Sequence, residues 1–583
     1  MYIDFVPNRG SKPAILLRES IREGKRIRKR TIANLSALTL EQAEAIRLVL
    51  KGDKLAPAGG GLDCIRSLPH GHVEAVRIAM RRLGFEKLID GKASRERDLV
   101  AAMVAGRIIA PQASKLAMTH AFSDTTLAEE FFVADAHEDE LYAAMDWLIE
   151  RQDKIEKRLA KRHLQEGGLV LFDLTSSSFE GATCPLAKIG YSRDGKPGTL
   201  QVNYGLLTDA RGCPVSVSVF EGNTADPKTL LPQLEKVRDS FGVASLIMVG
   251  DRGMISNVQI EAMRKMEGVD WITALKSGAI GALVKAGHLQ LGLFDERNLI
   301  SFTSEDYPGE RLVACRNPEL AKLRAAKRQD LIAATERELQ KVAGMVASGK
   351  LLGRDKIGLR VGKIIGKYLR SSSAPCGSAP LIVGKHFDLD IKDAAFSFSA
   401  NIDRIAAEAA LDGLYVIRTS ADEAEMSAGA AVLNYKRLAE VEHAFRTLKG
   451  VDLHVRPIRH RLEERVKAHI FLSMLAYYVQ WHLAEAWKPL LFADETPAGE
   501  GRERDPVAHA KRSEAALAKA HSRRLADGTP ALSFGGLLTH LATIVRNTMR
   551  PKDAKPGSGT FTLTTAPNPK QRQALDLAAA IAV

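Results

Sequence analysis

The chain has 583 residues, with 83 Lys and Arg against 70 Asp and Glu, a surplus of +13; at roughly 150 residues per domain that length suggests about four domains. A composition 45% hydrophobic and 26% charged excludes a disordered chain, and the basic surplus points to a polyanionic partner. Five scattered cysteines (Cys64, Cys184, Cys213, Cys315, Cys376), with no CxxC pair and no ligand spacing, argue against a disulfide scaffold and a structural zinc site.

The N-terminus, MYIDFVPNRG, has no apolar signal core. Residues 2–35 alternate and turn, which predicts a small β-meander. The first 30 residues hold nine Lys or Arg against three acids, so the outer face is a candidate phosphate-contacting arm. Residues 36–58 read as a helix running into the loop LAPAGGGLD. From Val73 to Leu164 apolar residues recur every three or four positions with basic residues between them, the period of successive helices. Such a module could place a helix in a DNA groove, although no spacing identifies which one.

At Gly167 the period changes. GGLVLFDLTSSSFEG is an apolar run that turns polar, as a buried strand does when it ends at an active edge. TLQVNYGLLTDA and CPVSVSVFEGN then form a hairpin, and DPKTLLPQLEKVRDSFG a helix with Asp226 as possible N-cap. SLIMVGDRGM is a second buried strand, followed by a helix and the strand DWITALKS. Three antiparallel strands followed by crossovers suit a mixed sheet flanked by helices. Residues 277–424 interrupt the pattern with further strands, a charged helical stretch at 317–349 and a Ser/Pro/Gly loop at 371–379. Helices resume from Ser427 to Trp487. The run HIFLSMLAYYVQWHLAEAW, broken at Gln480 and His482, predicts a buried core helix and no membrane span. PAGEGRERDP is a candidate linker, and the chain closes on a helical QRQALDLAAAIAV.

Two strands end in an aspartate, Asp173 after LVLF and Asp251 after LIMVG. A carboxylate there stands at the rim of the sheet, where ligands bind. Either alone is most simply a turn residue, whereas the pair points to a Mg²⁺ site. The segment NYKRLAEVEHAFRTLKG offers a third acid. Tyr435, Glu442 and Lys449 recur every seven residues, which drift only ~20° around an α-helix, so they share one face. Leu438, Val441, Phe445 and Leu448 form the stripe that would dock it. GMVASGKL has Walker A spacing but ends in Leu and follows a helical pattern, which excludes nucleotide hydrolysis on that motif. His443, beside Glu442, points ~100° away from it and reads as structural.

FDLTSSSFEG, VGDRG and the Tyr–x6–Glu–x6–Lys helix together resemble the DDE transposases of bacterial insertion sequences. The likeness is to the group with a Tyr-Arg-Glu-Lys signature and a β-rich insertion before the last acid. RPIRHRLEERVKAHIFLSMLAYYV is similar to that group's continuation. The resemblance covers 166–276 and 425–490, and more weakly the helical region upstream. It implies an α/β fold, a ribonuclease H-like mixed sheet flanked by helices, with an inserted β-rich domain at 277–424. Ahead of it would stand the basic meander and helix of 1–60 and a mostly helical DNA-binding region at 61–165; a C-terminal region fills 491–583.

The resemblance further implies that Asp173, Asp251 and Glu442 are catalytic and hold two Mg²⁺ ions, with Mn²⁺ able to substitute. Tyr435 and Lys449 would contact DNA. The group's Arg falls here on Leu438, leaving Arg437 and Arg446 as candidates for its phosphate contact. The partners implied are the element's terminal inverted repeats and target DNA, met by a synaptic homodimer in the bacterial cytoplasm at the nucleoid, with no membrane. Downstream, Arg456, Arg459, Arg461, Arg465 and Lys467 form a basic stretch open to DNA or to solvent. An inactive DNA-binding relic and a repair nuclease on the same fold are the competing readings.

Overall fold

The computed structural model describes all residues except 9–10, 25, 53–60, 112–113, 291–293, 295–297, 368–385, 496–504, 509, 553–558 and 583. They form two compact units, Met1–Pro69 with Ile544–Ala566, and His70–Thr543 with Pro567–Val583.

The smaller unit contains the expected meander, with Tyr2–Asn8, Ser11–Glu23 and Arg26–Asn34 paired antiparallel. Ile3 and Ile15 pack with Ala43 of the helix Leu40–Leu50. That helix starts where it does because Thr39 and Gln42 form a capping box. A second sheet corrects two expected boundaries. Leu62–Pro69 pairs with Val545–Pro551, which pairs with Phe561–Thr564. The region 61–165 therefore opens on a strand, and 491–583 is shared between the two units. Periodicity reports only local order, and this pairing joins segments near opposite ends of the chain.

In the larger unit, helices run from Gly71 to His163 as expected, but not as a module apart. Every residue of Arg95–Ile109 from Leu99 to Ile108 is buried, and this helix packs on Glu138–Ile149 and Glu463–Ala486. A helix covered on all sides is a core helix and cannot lie in a DNA groove. The predicted core helix is Glu463–Ala486, buried without a break from Ala468 to Gln480. Among the described residues no helix is long and apolar enough to cross a membrane.

Nine strands form one mixed sheet. Its order is Leu299–Phe302, Arg311–Arg316, Leu414–Thr419, Val269–Ala274, Leu246–Val249, Gly168–Ser178, Leu200–Thr208, Lys188–Ile189, with Pro214–Glu221 also paired to Leu200–Thr208. Gly168–Ser178, Leu246–Val249 and Val269–Ala274 run parallel to their neighbours in that trio, and the other pairings are antiparallel. Helices cover the sheet, so its central strands are apolar on both faces. Val170, Leu171 and Phe172 are at most 1% exposed, and each such side chain contributes about 1.5–3 kcal/mol.

The expected insertion at 277–424 is corrected as well. Leu299–Phe302, Arg311–Arg316 and Leu414–Thr419 extend the central sheet, because Leu312, Ala314 and Val416 face a core shared with Ile280 and Leu283. What stands off the sheet is mostly helical. Pro318–Ala347 and Arg354–Lys367 pack with the hairpin Phe387–Ile391 and Phe396–Ala400 around Leu339, Val342, Ile357 and Val361. The loop at 371–379, and most of the linker candidate at 497–506, lie outside the described residues.

Candidate active site

The two strand-end aspartates are set by register. Gly168–Ser178 and Leu246–Val249 are parallel neighbours, with Leu171 opposite Val249. Asp173 and Asp251 each follow two residues later, on chains about 4.8 Å apart at the last pair. Asp251 is fixed by its own loop, since its Oδ1 accepts the N–H groups of Gly253 and Met254, both at 2.8 Å. Asp173 Oδ1 accepts the Leu174 N–H at 2.8 Å.

Asp173 shares a strand face with Thr175 and Ser177. Tyr204 stands opposite Thr175, its hydroxyl bonded to Ser177 Oγ at 2.9 Å, its ring edge-on to Phe445 at 5.9 Å. The helix Leu438–Lys449 therefore lies on the face that carries Asp173. The expected docking stripe of Leu438, Val441, Phe445 and Leu448 is buried there. Glu442 is three residues before Phe445 and hence on the same face. Burial pushes the Asp173 carboxyl up to about 7, with Asp251 and then Glu442 adding to the rise, while the Leu174 N–H and Arg193 oppose it. The three acids are thus electrostatic neighbours. They are not among the groups whose ligating atoms all lie within 4.8 Å of one another; among the described residues those are His163–Cys213–His482 and His70–Glu74–Glu130.

The expected single helix through Tyr435 is corrected. Ala428–Lys436 and Leu438–Lys449 are separate helices with a turn at Arg437. Arg437 donates to Ala210 O at 3.0 Å and Asn434 Oδ1 at 3.2 Å. The first helix packs on Val269–Ala274 and Leu414–Thr419, the second on Gly168–Ser178 and Leu200–Thr208; serving both parts of the twisted sheet requires the break. Tyr435 is half-buried on the first helix and Lys449 ends the second, so a shared face no longer follows from the seven-residue spacing. Arg446 and His443 are exposed.

Lys449 is committed inside the protein. Its Nζ lies 2.9 Å from Asp194 Oδ1, and Arg456 Nη1 reaches the same oxygen at 2.6 Å. Burial pushes the Lys449 ammonium below its ordinary range, with Asp194 opposing. Much of the downstream basic stretch is also paired: Arg459 with Glu180, Arg465 with Asp146, Lys467 with Glu463 and Glu464. Arg461 is exposed.

Asp194 and Arg193 escaped sequence reasoning. They lie in GYSRDGKPG, a polar loop with no periodicity to mark it. Arg193 donates its backbone N–H to Ser176 Oγ at 3.0 Å and its guanidinium to both oxygens of Asp226, at 2.5 and 2.6 Å. Asp226 therefore makes no side-chain cap to the helix Pro227–Glu235.

The chain matches the family model described as the transposase DDE domain over residues 165–479. It matches that of the IS1634 family transposase N-terminal domain over residues 3–58. No curated protein matches. Among solved structures, a cryo-EM structure of the piggyBac transposase synaptic complex with hairpin DNA is similar at 6% identity and a TM-score of 0.34, over 81% of this chain and 76% of that one.

Proposed function

Because the chain belongs to the DDE transposases of insertion sequences, we propose that Asp173, Asp251 and Glu442 are its catalytic carboxylates and that it cuts and joins DNA at the ends of its own element. The observation that supports this reading is the parallel register that ends two residues before Asp173 and before Asp251, together with the packing of the helix that bears Glu442 on the Asp173 face of the sheet. The strand order also supports a ribonuclease H-like sheet. Three antiparallel strands (Gly168–Ser178, Leu200–Thr208, Pro214–Glu221) lead into two parallel ones on the far side of the first.

The donor chemistry fits divalent cations. Burial and the charges of Asp251 and Glu442 raise the protonation of Asp173, and Arg193, the cation that opposes this, is already held by Asp226. Bound by Asp173, Asp251 and Glu442, two Mg²⁺ ions, or Mn²⁺ in their place, would stabilise charge on the attacking and leaving oxygens of an in-line displacement at phosphorus. In the first displacement water forms the new O–P bond and the element's 3′-oxygen leaves. In the second that 3′-hydroxyl attacks a target phosphate and a target 3′-oxygen leaves.

Arg446, exposed one turn beyond Glu442, would contact a phosphate, and Tyr435 would act from the neighbouring helix. Lys449 positions the Glu442 helix through Asp194. The basic meander, and residues of 1–165 outside the buried helix Arg95–Ile109, would recognise the inverted repeats, with two chains bridging the two ends. The work would be done where the chromosome lies, in the bacterial cytoplasm.

The test uses duplexes carrying the inverted repeats that flank the gene. Mg²⁺-dependent nicking by the wild type, lost in Asp251→Asn and Glu442→Gln with binding retained, is the expected outcome. Cleavage that survives either substitution, or excess chelator, would overturn the reading.

A further inference from the structure

Away from the three carboxylates, His163, Cys213 and His482 bring two imidazoles and a thiol together with their ligating atoms within 4.8 Å of one another. Cys213 Sγ lies 3.8 Å from His482 Nε2. A tetrahedral zinc ion with Zn–S of about 2.3 Å and Zn–N of about 2.0–2.1 Å needs that edge at roughly 3.6 Å. Cys213 is fully buried and His482 nearly so.

The neighbours fix the tautomer of His163, although the Arg211 guanidinium would have to give up its contact to a metal. Arg211 Nη2 lies 3.4 Å from His163 Nδ1, and a guanidinium can only donate, so Nδ1 carries a lone pair. His163 Nε2–H then donates to Tyr478 Oη at 3.1 Å, the outer contact that orients a ligating imidazole. Arg211 is itself neutralised by Asp209 at 2.8 Å. The cluster borders a cavity of about 710 Å³ also lined by Glu485, three residues after His482 on the same helix and so on the same face. A fourth ligand, carboxylate or water, has room there.

Against the expectation drawn from cysteine spacing, which sees no ligands brought together from distant segments, we propose that His163, Cys213 and His482 form a zinc site distinct from the carboxylate centre, with Glu485 or water as fourth ligand. Two nitrogens and one thiolate suit Zn²⁺ and not Mg²⁺, which takes oxygen ligands. On binding, the thiol gives its proton to solvent and the S–Zn bond forms, with no change of oxidation state. The ligands come from the end of helix Gln152–His163, the turn before strand Pro214–Glu221, and helix Glu463–Ala486. The ion would pin the point from which the chain enters the Asp173 strand. His163 and His482 lie just outside the two ends of the matched DDE region.

The test takes the full chain, stripped with chelator and returned to excess Mg²⁺, and titrates it with Co²⁺ as a spectroscopic stand-in for zinc. Expected is a thiolate-to-cobalt charge-transfer band that saturates at one equivalent and is abolished by competing Zn²⁺. It should vanish in Cys213→Ser, persist in Cys315→Ser, and need roughly 10–100-fold more metal in Tyr478→Phe. Wild-type protein also needs no variant to answer: Zn²⁺ should raise its melting temperature in Mg²⁺ buffer. No band in the wild type, a band retained in Cys213→Ser, or no Zn²⁺-dependent rise in melting temperature would overturn the site.

Discussion

Lys449 and Asp194 form an ion pair of 2.9 Å with 10% and 2% of their side chains exposed. The carboxylate is the hub, since Arg456 shares Oδ1 and the Ser178 N–H donates to Oδ2 at 3.0 Å. It ties the end of the Glu442 helix to the strand that bears Asp173. Asp194→Ala leaves Lys449 and Arg456 without their anion and should cost about 3–5 kcal/mol. Lys449→Ala leaves Asp194 paired to Arg456 and should cost less. Urea unfolding checks the order, and a larger loss from Lys449→Ala would show that the carboxylate is not the hub.

Glu440 and Glu442 differ by two residues and point ~200° apart on a helix. Glu440 is exposed, and its Cβ would lie only 2.7 Å from a Cβ added to Gly212, which holds φ +85°. Glu442 faces the Asp173 side. Glu442→Ala should lower strand cleavage by three orders of magnitude or more, to background, whereas Glu440→Ala should stay within a fewfold of wild type. The reverse result in a nicking assay would mean that the wrong face of the helix has been assigned.

Without a cation, Asp173 is ionised at pH 8 against its own burial and the charges of Asp251 and Glu442. Asp173→Asn keeps the shape and removes that charge. In chelator its melting temperature should exceed the wild type's by about 1–2 °C, roughly what 1–2 kcal/mol produces in a chain this size, while cleavage is lost. Thermal melts and nicking assays on the same preparations check both halves. A variant less stable than wild type in chelator would count against crowded carboxylates.

Lys115 is 4% exposed at the start of helix Lys115–Ser123. Burial, and then Arg107, push its ammonium down to about 7 from 10.5. Between those two values the unfolded chain holds a proton that the folded chain lacks, so this residue makes stability rise with pH; below about 7 both are charged and the slope ends. Lys115→Met should therefore be more stable than wild type at pH 7, with the gap shrinking towards pH 10. Urea midpoints across that range decide it, and a constant gap would show that Lys115 keeps its charge in the fold.

Much of the proposed site can be read from the sequence because the signals it rests on are local. An apolar run ending in an acid, twice, marks two buried strands that reach a rim; LVLFD and LIMVGD carry it. The stripe Leu438, Val441, Phe445 and Leu448 marks a docking face, and Glu442 next to it is in phase with that face. These patterns depend on side-chain period alone, which a helix or strand imposes wherever it is placed.

Tertiary structure decided everything that needs a distant partner. The turn at Arg437 separates Tyr435 from the Glu442 helix, although the heptad alone describes one continuous face. Strands at 299–302, 311–316 and 414–419 complete the main sheet, although an interrupted pattern looks like an insertion. Leu62–Pro69 finds its neighbour at Val545–Pro551. Lys449, Asp194 and Arg456 meet, as do His163, Cys213 and His482, from segments whose spacing carries no period. Hydrophobic periodicity determines which way a side chain faces within its own element. Which charge or ligand it meets there depends on long-range packing, which is set by the sum of many burial terms and leaves no mark at any single position.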